Sequence, residues 1–130
     1  MKAIVTREKM RIEFNEEKKV ITISTPGKNT VEICDDDKHI KLTDQNKNEI
    51  VMNSSGISLS SAKDITLKAK GAITIEATSK INATAKQDVS LEGLNVKMEA
   101  KVSATVKGNA KAELSASGQT TVKGAMVMIN

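Results

Sequence analysis

The sequence predicts an all-β protein built of short strands stacked into a ladder that three chains share. Three observations carry this reading. Short runs of alternating apolar and polar residues fill residues 1–56, and turn-forming residues separate them. From residue 57 onward an eight-residue repeat takes over. Aromatics make up 1% of the 130 residues, with Phe14 alone and no Trp or Tyr. Alternation is the mark of a strand with one buried face. A fixed internal period belongs to stacked arrays rather than to ordinary globular domains. Rings usually supply much of a core's buried area, so a conventional core is poorly stocked here.

In the first zone, 1–56, the runs follow one another at intervals of nine or ten residues. Met10, Ile12 and Phe14 alternate before Asn15-Glu16-Glu17-Lys18. Ile21 and Ile23 precede Thr25-Pro26-Gly27-Lys28-Asn29, and Val31 and Ile33 precede Asp35-Asp36-Asp37-Lys38. Ile40 and Leu42 lead into Asp44-Gln45-Asn46-Lys47-Asn48, and Ile50 and Met52 into Asn53-Ser54-Ser55-Gly56. Each break has turn chemistry: Pro fixes φ, while Gly and Asn are the residues expected to take positive φ.

In the second zone, 57–130, the first octad position is Ile57, Ile65, Ile73, Ile81 and Val89. One residue is then dropped, and the series resumes at Val96, Ala104, Ala112, Thr120 and Met128. The third position reads Leu59, Leu67, Ile75, Ala83 and Leu91, then Met98, Val106, Leu114 and Val122. The fifth is small every time: Ser61, Ala69, Ala77, Ala85, Gly93, Ala100, Gly108, Ala116 and Gly124. Ala, Gly and Ser are only 25 of the 74 residues in this zone, so composition alone does not fill nine slots of nine. Positions one and three share a face of a strand. Position five is a corner where a small residue lets backbones approach. A helical face would need spacing near 3.6, which the octad does not trace.

Such a ladder closes either as a single-chain β-solenoid or as three chains wrapped into a triangular prism. The inward set is slim: Ile57, Leu59, Ile65, Leu67, Ile73, Ile75, Ile81, Val89, Leu91, Val96, Met98, Val106, Leu114 and Val122. At roughly 25 cal/mol per Å², one chain with so little bulk stabilises itself weakly. Three chains share the core and leave strand edges only at the ends. These residues are therefore expected to form a trimer core, with Ala69, Ala77, Ala85, Gly93, Ala100, Gly108, Ala116 and Gly124 at the corners. One rung of about 4.8 Å per strand gives an expected shaft of about 70 Å.

Several chemistries are set aside. The 20 Lys/Arg and 16 Asp/Glu give a net charge of +4 but are interspersed, a solvated face rather than a nucleic-acid patch. Base-stacking rings are lacking as well. Single Cys34 forms no internal disulfide, and alternation after Ile33 points it outward or to a bend. His39 is expected to face solvent at a strand start. Asp35-Asp36-Asp37 reads as a charged turn. Asp44-Gln45-Asn46-Lys47-Asn48 matches the start of a calcium loop, but Glu49 stands where Gly belongs and Ser55 where Glu belongs. The polar column Ser58, Thr66, Thr74, Asn82 and Ser90 reads as outward strand positions. No catalytic, cofactor or metal residues are assigned, and an enzyme is not expected. No apolar run of about 18 residues predicts a membrane-spanning helix, and the first residues lack a signal-peptide core.

At the turn series, the octads and the tail from Ala116 to Asn130, the chain resembles the C-terminal spike of VgrG proteins of type VI secretion and the related central spike of contractile phage tails. The tail reads Ala116-Ser117-Gly118-Gln119-Thr120-Thr121-Val122-Lys123-Gly124-Ala125-Met126-Val127-Met128-Ile129-Asn130. The resemblance covers nearly the whole chain. It implies an intertwined triple-stranded β-helix, a homotrimer, acting as a membrane-puncturing needle driven by a contractile sheath. It implies an upstream hub and a tail tube protein in the full assembly, a cytoplasmic origin in a bacterium, and delivery toward a target cell. It also implies a PAAR-repeat tip protein or effector seated on Met126, Val127, Met128, Ile129 and Asn130. An end rung with unpaired backbone groups and bare apolar side chains is one that a partner caps. The histidine-based metal tip of some phage spikes is not carried over, because no His lies near this end. The competing reading is a monomeric β-solenoid binding rod of adhesin or ice-binding type.

Overall fold

The computed structural model describes all 130 residues. It is all-β and holds no helix. Seven strands run in chain order: β1 (Lys2–Val5), β2 (Arg11–Asn15), β3 (Val20–Ser24), β4 (Thr30–Cys34), β5 (His39–Thr43), β6 (Glu49–Asn53) and β7 (Gly56–Ser60). Every strand pairs antiparallel with the next, so the sheet is a single meander. Five of the seven coincide with the alternating runs, and β7 is the first octad. β1 is an addition. Its run Ala3-Ile4-Val5 does not alternate, yet Ile4 sits opposite Ile12.

The register lines up every alternating apolar residue. Phe14 faces Ile21, which faces Ile33, which faces Ile40, which faces Met52. Ile12, Ile23, Val31, Leu42, Ile50 and Leu59 form the parallel row. One face of the sheet is therefore continuous hydrocarbon. The other carries cross-strand pairs such as Glu32 opposite Lys41 and ion pairs Arg11–Glu13 (2.7 Å) and Lys41–Glu49 (3.0 Å). The chain leaves most of the apolar face uncovered. Ile33 and Ile40 stay 38% and 37% exposed, and the only buried hydrophobic residue is Cys34.

The turns differ from expectation in one respect. Positive φ falls on Lys9, Lys19, Lys28, Lys38 and Lys47, at 48° to 67°, rather than on the Gly or Asn beside them. In the turn beginning at Thr25, Lys28 N donates to Thr25 O (2.9 Å) and Thr25 N to Asn29 O (3.0 Å). The same pair of bonds recurs at Thr6/Lys9/Met10 and Asp44/Lys47/Asn48. A turn followed by one left-handed residue is a standard way to close a hairpin and restore strand twist. The left-handed position is the fourth residue of each of these turns, and lysine occupies it in all three.

These three turns expose a longer period. Thr6, Thr25 and Asp44 are each nineteen residues apart, as are Lys9, Lys28 and Lys47. Each nineteen-residue unit is a hairpin plus its return. Asn29 and Asn48 are equivalent within it, and both tie their turn to the following segment. Asn29 Oδ1 accepts from Gln45 N (3.0 Å), and Asn48 Oδ1 accepts from Ala62 N (3.1 Å) and from the Ser61 hydroxyl (2.9 Å). Gly27 leaves the space that Gln45 fills, since a Cβ there would come within 2.8 Å of Gln45 Oε1.

The chain forms two compact units, Met1–Ile75 and Glu76–Asn130. Beyond Ser60 no strand is assigned, and no backbone hydrogen bond joins residues within 61–130. The chain there has no regular secondary structure and bends at regular intervals. A bend opens at the residue after every fifth octad position, Ser61 through Gly124. It spans two residues each time except after Gly93, where it spans Leu94 alone. That exception coincides with the octad that loses a residue.

Candidate functional site

The residues expected to form a trimer core fall into one class. Ile57 and Leu59 stand on the apolar face in β7, opposite Met52 and Ile50. The other twelve lie along the bent chain beyond Ser60, and none of the fourteen is less than 54% exposed. Each apolar side chain left in water forgoes about 1.5–3 kcal/mol relative to burial. The chain closes part of it as an open groove of about 540 Å³ whose walls include Ile23, Val31, Leu42, Ile50, Leu59 and Ile65.

The corner residues sit where the bends begin. A Cβ on Gly108 would overlap the carbonyl oxygen of Lys111, and one on Gly124 would lie 3.1 Å from Met126 O. Close backbone approach therefore follows the small residue at these corners. Gly118 is a bend residue but not a fifth-position one, and a Cβ there would meet nothing within 4 Å. The terminal residues Met126, Met128 and Ile129 are at least 80% exposed, and Val127 is 49% exposed.

Asp44 is engaged by its own turn. Its Oδ1 accepts from Asn46 N and Asn48 N, both at 2.8 Å, and its Oδ2 from Asn48 Nδ2 at 2.8 Å. The backbone bond from Asn48 is foremost in holding this carboxyl below its ordinary value of 3.8; desolvation opposes it, and the side chains of Asn48 and Asn46 add to the lowering.

Cys34 and His39 need correction. Cys34 is 4% exposed rather than a surface thiol. The turn folds back over it: Asp37 N donates to Cys34 Sγ at 3.4 Å, and Asp37 Oδ2 lies 3.7 Å from the sulfur. His39 does open β5, but its side chain is only 21% exposed, and Nε2 lies 2.7 Å from Glu32 Oε1. The acidic turn thus has Cys and His neighbours that linear spacing conceals. The cause is register. Cys34 and His39 are directly opposed across β4 and β5, both on the polar face, and Asp37 closes over them. The donor atoms of Cys34, Asp37 and His39 all lie within 4.8 Å of one another. Counting parity from Ile33 and Ile40 would have placed Cys34 and His39 on one face.

No helix is long and apolar enough to cross a membrane. No protein-family model matches the chain, and no curated protein matches it.

Proposed function

We propose that this chain is the shaft of a homotrimeric, membrane-puncturing spike of a contractile injection apparatus, built as an intertwined triple-stranded β-helix. One observation carries the reading: residues 61–130 pass through nine regularly spaced bends without a backbone hydrogen bond among themselves. Ordering a residue costs about 1–2 kcal/mol in backbone entropy alone, and no hydrogen bonds within this segment offset that cost. Two further copies supply those bonds, and the apolar octad positions then face each other. The bare face of the meander is covered in the same way. A single-chain solenoid, by contrast, pairs its own successive turns, and such pairing does not occur in 61–130.

In this reading the C-terminal residues Met126 to Asn130 are the seat of a PAAR-type tip protein or effector, and the hub and tail tube act upstream. Sedimentation at micromolar and nanomolar concentrations tests the assembly: the expected species has three times the 13.9 kDa chain mass. A well-folded lone subunit would overturn it. Removing residues 124–130 is expected to abolish binding of a PAAR-type partner while the trimer mass persists. Undiminished binding would reject the tip assignment.

A further inference from the structure

We propose that Cys34, Asp37 and His39 form a binding site for a divalent cation of the zinc class, with Glu32 orienting the histidine. All four residues come from one hairpin, so the site stands independently of how copies of the chain assemble. The donor set is a sulfur, an imidazole nitrogen and a carboxylate oxygen. Such a mixture suits zinc and its neighbours; magnesium and calcium favour oxygen alone. A tetrahedral ion with bonds of about 2.0–2.3 Å holds its donors roughly 3.3–3.7 Å apart. The Sγ–Oδ2 distance of 3.7 Å already meets that span, and all three donors lie within 4.8 Å, so a small closure of the turn completes the set.

The surroundings match a metal site in two further ways. Glu32 holds His39 through Nε2 at 2.7 Å, which leaves Nδ1 as the ligating nitrogen. A carboxylate on the far side of a metal-bound imidazole sets its tautomer and ring orientation. Asp37 N points at the sulfur from 3.4 Å, a contact that supports a bound thiolate. Thiolate and carboxylate together balance the two positive charges of the ion. Three protein ligands leave the fourth tetrahedral position to water. The ion acts as a clip across the β4–β5 turn.

Cobalt(II) titrated into the reduced 130-residue chain is the direct probe. The expected result is one equivalent per chain, a sulfur-to-cobalt charge-transfer band, tetrahedral visible absorption, and displacement of cobalt by zinc. Cys34→Ser is expected to abolish the charge-transfer band. Glu32→Gln is expected to keep the band and weaken affinity about 10- to 100-fold, which keeps the test decisive if Cys34→Ser misfolds. Asp36→Asn, whose carboxylate pairs with Lys19 at 3.5 Å, should bind as the parent does. Cobalt bound without the sulfur band, calcium bound in preference, or equal affinity in Glu32→Gln would each overturn the assignment.

Discussion

Residues 2–60 and 61–130 both hold no helix, yet only the first part pairs with itself. The difference lies in how each changes direction. Through residue 56 five turns contain a left-handed lysine, and the β6–β7 turn ends on Gly56 at φ 119°. A left-handed residue reverses the chain, so each strand returns beside the last. Beyond residue 56 no residue has positive φ, and the bends turn the chain without reversing it. Strands that never return cannot satisfy one another. Residues 2–60 thus satisfy their backbone and leave a face bare, whereas residues 61–130 make neither backbone bonds nor a buried core of their own.

The corners should break the second zone first. Ala77→Phe, Ala85→Phe or Gly108→Val is expected to abolish trimer formation, because overpacking a thin core is costly; light scattering checks the mass. Gly118→Ala and Thr66→Lys should assemble as the parent does. If corner and control variants assemble equally, the corner assignment is wrong.

The bare face tests the first zone. Ile40→Ser is expected to cost about 2–3 kcal/mol in the assembled protein, the transfer energy of a covered Ile. A lone sheet would feel much less, since Ile40 is 37% exposed there. Chemical denaturation of variant and parent distinguishes the two cases.

The lysine turns yield a smaller and opposite effect. A non-glycine residue in the left-handed region costs roughly 1–2 kcal/mol, and glycine returns part of the gain as unfolded-state entropy. Lys28→Gly is therefore expected to stabilise by roughly 0.5–1 kcal/mol. The matching change at Lys107, outside any left-handed position, should not stabilise.

Asp44 gives the gentlest handle. Its folded value lies below 3.8, so its contribution is fully present above that pH and is lost as pH falls through the lower folded value. Acid titration should show this loss below about pH 4, and Asp44→Asn should remove that part of the pH dependence.

Much of the fold was legible because a two-residue period survives wherever one face is apolar. Phe14, Ile21, Ile33 and Ile40 declared both their strands and their shared face. β1 escaped because three apolar residues in a row have no parity. The lysine turns escaped because lysine is not a turn-former by propensity; their nineteen-residue spacing was the available signal. The Cys34–Asp37–His39 cluster escaped for a different reason. Cys-x-x-Asp-x-His has no meaning along the chain until hairpin register sets residue 34 against residue 39. The octad, by contrast, was visible down to its missing residue, since a small side chain precedes every bend.

The nineteen-residue unit makes length a countable property. Each unit adds two strands and returns the chain to the same end of the sheet with the same parity. Whole units could therefore be gained or lost by duplication or deletion without turning any greasy side chain outward. An insertion of odd length within a strand would invert everything downstream. A molecule made this way can be tuned like a measuring rule, in fixed increments, while the pattern of every graduation stays the same.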